Sequence, residues 1–225
     1  MIGTLVNCLT VITGSIIGVN VHSNIPDNLQ KILFQGIGLF TLALGVSMFL
    51  KSEYILIVIT SIVVGSLCGE LLQLESQIEK LGDFLKNQFD SSNERFTEGM
   101  MTAFLLFCMG SMTILGAFEE GLQGKPNLLF AKSLMDGVSS IALAATFGYG
   151  VIFSVIPLLL YQGGLTLLAG SLKGIMTEPV INEMVATGGI LLLGLSLDIL
   201  DLKKIKTLNM LPAIILAVLL AIIFI

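Results

Sequence analysis

One apolar stretch carries the residues with the clearest capacity for chemistry. Leu128 to Gly148 reads as a membrane span, yet it contains Lys132, Ser133, Asp136 and Ser140. On a helix, Ser133, Asp136, Ser140 and Ala144 line one face, with Gly137 beside them. At ~1.5 Å rise per residue, Asp136 lies ~12 Å deep in a hydrocarbon core ~30 Å thick. A centred carboxylate costs roughly 2.5–3.5 kcal/mol even on the lenient insertion scale, so it demands a partner, a water-filled cavity or a proton. Two readings compete: a buried pair that holds the helices together, and a carboxylate that lines a cavity and binds a proton or cation. Lys132 lies one turn earlier and can pair with Asp136, although Lys before Asp is the weaker order on a helix. Lys132 is also shallow enough to snorkel outward, which would leave Asp136 in need of another partner.

Neutral ligands stand on other apolar stretches. Gly3, Asn7, Thr10, Gly14 and Gly18 recur at spacings of three and four and form one stripe. The glycines suit close helix packing, while Asn7 and Thr10 could line a solute path. Pro157 is followed by Tyr161, Gln162, Gly163, Gly164 and Thr166. The proline removes one backbone N–H and clashes with the carbonyl of Phe153, so it is expected to kink or break the helix and free that oxygen beside the Gln162 amide. Gly110, Thr113 and Ala117 share a face that ends in Glu119 and Glu120, either an acidic mouth for cations or a solvated helix end. Met101, Cys108 and Met112 also share a face, which reads as core filling rather than a soft-metal site. Ser61, Gly65 and Gly69 form a small-xxx-small stripe for packing. Enzyme chemistry is not legible: His22 sits alone in a polar loop, no nucleophile with its base is assembled, and no phosphate-cradling loop follows a strand. No cofactor is expected.

These residues must be held by membrane helices. The chain of 225 residues is 55% hydrophobic and 12% charged, without tryptophan, and its mean hydropathy is +0.97. Such values exclude an ordinary soluble domain, and the net charge of −5 gives no reason to expect nucleic acid. Met1-Ile2-Gly3-Thr4 offers no basic stretch, so the first apolar segment is expected to be a retained span. Cys8, Cys68 and Cys108 each lie within an apolar run and are expected to be buried small hydrophobes. The fold class is an all-α polytopic membrane protein of about eight helices, near residues 2–20, 32–50, 54–72, 97–118, 128–148, 149–171, 183–200 and 207–225. Only Gly148-Tyr149-Gly150 separates the fifth from the sixth, and their merger would leave seven. With eight spans, seven Lys and Arg residues fall on one side against three on the other. That excess places the longest loop in the cytoplasm and both termini outside.

The loop 73–96 is amphipathic: Leu71, Leu74, Ile78, Leu81 and Leu85 form one stripe opposite Glu75, Glu79, Lys80, Asp83 and Lys86. Its acidic bias favours a protein neighbour or second subunit over anionic lipid. A weak internal repeat aligns Gly45-Val46-Ser47 with Gly194-Leu195-Ser196, an offset of 149 that also puts Gly14 on Gly163. The organisation is then helices 1–3 over 1–72, the amphipathic helix over 73–96, a central helix pair over 97–148, and helices 6–8 over 149–225. The outer halves would be inverted three-helix repeats, the common build of secondary transporters.

Several of these motifs occur together. Gly3-Thr4-Leu5-Val6-Asn7, Phe34-Gln35-Gly36-Ile37-Gly38-Leu39, Cys108-Met109-Gly110-Ser111-Met112-Thr113-Ile114-Leu115-Gly116, Lys132-Ser133-Leu134-Met135-Asp136-Gly137 and Tyr161-Gln162-Gly163-Gly164-Leu165-Thr166 resemble a bacterial and archaeal family of polytopic membrane proteins, catalogued as domain of unknown function 554. The resemblance covers nearly the whole chain. It implies a multi-span protein of the prokaryotic plasma membrane, commonly regarded as a transport protein without an established substrate. It also marks Asn7, Lys132, Asp136, Tyr161 and Gln162 as motif positions without roles. Where members commonly show Asp before Gly after the fourth span, this chain has Glu120-Gly121.

The expected function is a transporter or channel for a small ion or polar solute. Asp136 would bind the cation or proton and Lys132 would tune its charge. Asn7, Thr10, Ser133, Ser140, Tyr161, Gln162 and Glu120 would coordinate or guide the cargo. The alternative is a scaffold or sensor that does not transport and acts through oligomerisation and the amphipathic loop. The partners are the lipid bilayer and, through small-xxx-small faces, further copies of the chain.

Overall fold

Apolar runs interrupted by Pro, Gly and short polar links fold as helices, because in hydrocarbon each backbone N–H and C=O must be satisfied within its own segment. The computed structural model describes residues 1–22, 26–77, 80, 95–108 and 110–225, and no strand occurs among them. The elements are α1 (Ile2–His22), α2 (Asp27–Phe49), α3 (Ile55–Leu71), α4 (Phe96–Cys108), α5 (Ser111–Gln123), α6 (Asn127–Phe147), the short α7 (Gly150–Phe153), α8 (Val155–Leu172), α9 (Glu178–Ile199), a 3₁₀ turn (Thr207–Met210) and α10 (Pro212–Phe224). Among the described residues, six stretches are long and apolar enough to cross a bilayer: α1, α2, α6, α7 with α8, α9, and the 3₁₀ turn with α10. The pair α4 and α5, bent by 59°, counts as a seventh if the two helices form one span. α3 is apolar but 17 residues long, at the lower limit of spanning length. The all-helical membrane class expected from sequence is the observed one.

Breaks follow backbone chemistry. Gly124 adopts φ +69° after α5 and donates its N–H to the Glu120 carbonyl; Gly148 adopts φ +71° after α6 and donates to Ala144. Positive φ at a helix end is adopted most cheaply by glycine, and Gly124 takes the left-handed helical form. Gly148 thereby separates the fifth and sixth spans. The span formed by α7 and α8 is interrupted at Ser154; Pro157 is the third residue of α8, so the interruption falls where its ring would meet the Phe153 carbonyl four residues earlier. The fourth span, expected to run unbroken, is split between Cys108 and Ser111. Met101, Cys108 and Met112 therefore do not share one continuous helical face. Cys68 is exposed on α3, whereas Cys8 and Cys108 are buried as expected. Of the expected amphipathic helix over 73–96, residues 78–79 and 81–94 lie outside the described residues.

Contacts divide the chain into two units that interleave in sequence. The first comprises residues 1–33 and 84–174, and its most extensive helix pair is α1 with α6. These two helices run parallel in constant register. A Cβ on Gly3 would meet Leu129, one on Gly14 would meet Ser140 and the Gly137 carbonyl, and one on Gly18 would meet Ile141 and Ala144. Glycine at these positions lets the two backbones touch. The bent pair α4–α5 runs the other way along α6. Its start lies at the C-terminal end of α6, where Gly99 abuts Phe147 and Gly150 abuts Phe96. Its finish lies at the N-terminal end, where Glu119 accepts from the Leu128 N–H at 3.3 Å. The pair thus traverses the full length of α6 and is a broken span.

The second unit comprises residues 34–83 and 175–225. Here the α3 stripe packs as expected, with Gly65 on Ala213 and Gly69 on the Asn209 carbonyl, and Gly45 of α2 meets Gly189 of α9. Glu183, fully buried on α9, accepts from the N–H groups of Glu53 and Tyr54 at 2.8 and 3.0 Å and from Ser52 Oγ at 2.7 Å. It closes the N-terminal end of α3, where free N–H groups favour a carboxylate.

Candidate functional site

The charged side chains of α6 point inward and several of its large apolar ones outward. On α6, Lys132, Ser133, Asp136 and Ser140 are buried, while Leu134 and Val138 are 71% and 70% exposed. This is the reverse of a soluble helix and the arrangement a bilayer requires. The parallel register of α1 and α6 brings Asn7 to Asp136, and α8 supplies Gln162 from a third direction.

The geometry is a chain of hydrogen bonds across three helices. Asn7 Nδ2 donates to Asp136 Oδ2 at 2.9 Å and to Gln162 Oε1 at 3.1 Å. Gln162 Nε2 donates to Thr4 Oγ1 at 3.2 Å, back on α1. Lys132 Nζ donates to the same Asp136 Oδ2 in an ion pair, and lies 6.0 Å from the centroid of the Phe107 ring on α4. Asn7 and Gln162 are 0% exposed, Lys132 5% and Asp136 7%. Lys132 therefore does not snorkel: its ammonium turns inward, where a carboxylate and an aromatic face both favour it. Asp136 sits at the tenth position of the 21-residue α6, midway along the helix. Among the described residues of unit 1, the buried side-chain oxygens without a hydrogen-bond partner include Asn7 Oδ1, Ser15 Oγ, Glu120 Oε2 and the Tyr161 hydroxyl.

Other expected ligands are placed differently. Thr10 Oγ1 donates to the Asn7 carbonyl at 2.9 Å, Ser133 Oγ to Leu129 at 2.6 Å and Ser140 Oγ to Gly137 at 2.7 Å. Each hydroxyl is spent on its own helix. Glu120 is neither a free acidic mouth nor a solvated end: it is 7% exposed and accepts from the Gly3 N–H at 2.9 Å. It lies one turn of α1 from Asn7, at the end where α1 and α6 begin. At the break in the fourth span, Thr113 Oγ1 donates to the Phe107 carbonyl at 2.8 Å, satisfying an acceptor that the interrupted helix leaves open.

Three residues of consequence escaped the sequence reading. Thr4 closes the network, and its position three residues before Asn7 on the same helical face was the available signal. Phe107 carries Lys132, and nothing in its sequence context distinguishes it from core. Glu183 caps α3; as a carboxylate within the apolar run that became α9, it presented the same signal as Asp136.

A family model described as a protein of unknown function, DUF554, matches residues 2–222. The chain is 39% identical over 218 residues to an uncharacterized membrane protein, YdfK, of Bacillus subtilis (strain 168), covering 95% of this chain and 93% of that one. It is 29% identical over 222 residues to an uncharacterized protein, YqgA, of Escherichia coli (strain K12), covering 96% and 94%. No solved structure matches.

Proposed function

Because the chain belongs to the DUF554 family and is a membrane protein, we propose that it passes a small ion or polar solute across the prokaryotic plasma membrane, as a transporter or channel, with the network of unit 1 as its site. The observation that carries this reading is a buried carboxylate midway along α6, bonded across helices to Asn7, whose own Oδ1 is buried and unpartnered. In hydrocarbon a buried acceptor without a partner is costly, and the open oxygen of Asn7, whose amide already bonds the carboxylate, suits a ligand at this point. Asp136 supplies the charge, Asn7, Gln162 and Tyr161 supply neutral groups, and Glu120 stands one turn nearer the surface. The role is passage rather than catalysis, and by the excess of Lys and Arg both termini face outward. In proteoliposomes, Asp136→Asn is expected to reduce flux to the level of empty liposomes. Unchanged flux of every candidate ion across pH would eliminate the reading.

One observation favours a second reading, a scaffold or sensor that does not transport. Thr10, Ser133 and Ser140 bond only to their own helices, as packing residues do. In that case Asp136→Asn lowers thermal stability in detergent and no solute shifts the melting temperature; a ligand-specific shift would remove it.

A further inference from the structure

We infer that the network binds a desolvated monovalent alkali cation, and that Lys132 is a tethered competitor that occupies the site when no ion is bound. The physiological meaning rests on the transport reading above; the binding test does not.

Charge and ligand type decide the class. The Asp136 oxygens are used unequally: Oδ2 takes both Lys132 and Asn7, whereas Oδ1 takes no hydrogen bond from the described residues. Both donors of the Asn7 amide are committed, one to Asp136 and one to Gln162, so its remaining capacity is the unpartnered Oδ1 acceptor. The Tyr161 hydroxyl, from the residue before Gln162, is a further unpartnered oxygen. One carboxylate with neutral oxygens is a hard, oxygen-rich donor set, suited to hard cations rather than to soft metals. Its single negative charge is balanced by one ammonium. Beside the displaced ammonium, a monovalent ion leaves one excess positive charge in the buried region and a divalent ion leaves two, which low-dielectric surroundings penalise more. An anion would meet the carboxylate, and the ammonium that might receive it is already paired. Displaced Lys132 has somewhere to go, because the Phe107 ring is already 6.0 Å from Nζ and an aromatic face holds an ammonium without a counter-charge.

The test compares melting temperatures in detergent at fixed pH, in sodium, potassium and choline chloride of equal ionic strength. Lys132→Gln is expected to melt several degrees higher in sodium or potassium than in choline. The wild type should need about ten-fold more alkali cation for the same rise, and Lys132→Gln/Asp136→Asn should show none. Equal melting of Lys132→Gln in all three salts overturns the inference, as does a wild-type response at the same concentration. Lys132→Arg keeps the charge and guards against a variant that fails to fold. Its forked grip on the carboxylate is expected to raise the cation concentration needed several-fold above wild type, and an unchanged requirement overturns the competition. An alkali-specific shift alongside undiminished flux of Asp136→Asn would keep the binding site while removing the transport reading.

Discussion

The carboxylate of Asp136 takes an ammonium and an amide on a single oxygen, and that economy explains most of what its neighbours do. Lys132 neutralises the charge; Asn7 turns a pair on one helix into a link among three by donating to Asp136 and Gln162 at once. Asn7→Leu removes both bonds and leaves Gln162 Oε1 buried without its donor. The expected cost is about 1–3 kcal/mol, the range for an orphaned buried polar group, read as a lower melting temperature in detergent. Asp136 and Lys132 were legible as an energetic anomaly because charge inside an apolar run is rare. The direction of Lys132 was not legible, since snorkelling and pairing differ only in where α4 places Phe107, and no spacing in the sequence encodes that.

At the scale of elements, two features build the site: the parallel pair α1–α6 and the break between α4 and α5. The pair was half visible. The stripe of Gly3, Asn7, Thr10, Gly14 and Gly18 announces a packing face, and the structure divides it, with glycines touching α6 and Asn7 entering the network. Which helix that face meets could not be read, because small residues are interchangeable as partners. The break was hidden, since the run from Met100 to Leu115 carries no charge and no proline, and Gly110 is its one glycine. The interruption persists because Thr113 satisfies the Phe107 carbonyl. Thr113→Val is therefore expected to cost about 1–3 kcal/mol while Thr113→Ser, which keeps the hydroxyl, leaves the melting temperature close to wild type. Equal losses in both variants would mean that the methyl packing matters and the hydroxyl does not.

For the whole molecule, the directions within unit 1 constrain the path of the chain. α1 ends beside Ala144, at the end of α6 where Phe96 begins α4. If α2 crosses the bilayer, the short α3 is expected to cross back. With the broken span counted once, the expected total is eight crossings with both termini on one side. After replacement of the three native cysteines, an impermeant maleimide applied to intact cells is expected to label Lys51→Cys and Lys125→Cys, and Lys203→Cys only after permeabilisation. Labelling of Lys51→Cys and Lys203→Cys from the same side would refute that path. The α1–α6 pair also has a consequence in time. Asn7 and Asp136 are 129 positions apart, and ribosomes add about 5–20 residues per second, so α1 waits roughly 6–26 s in the membrane before its partner is made. Through that interval its amide faces lipid or the insertion machinery. α6, which brings two charges into hydrocarbon, then arrives beside a helix already shaped to receive it, so the order of synthesis assists the least favourable insertion in the chain.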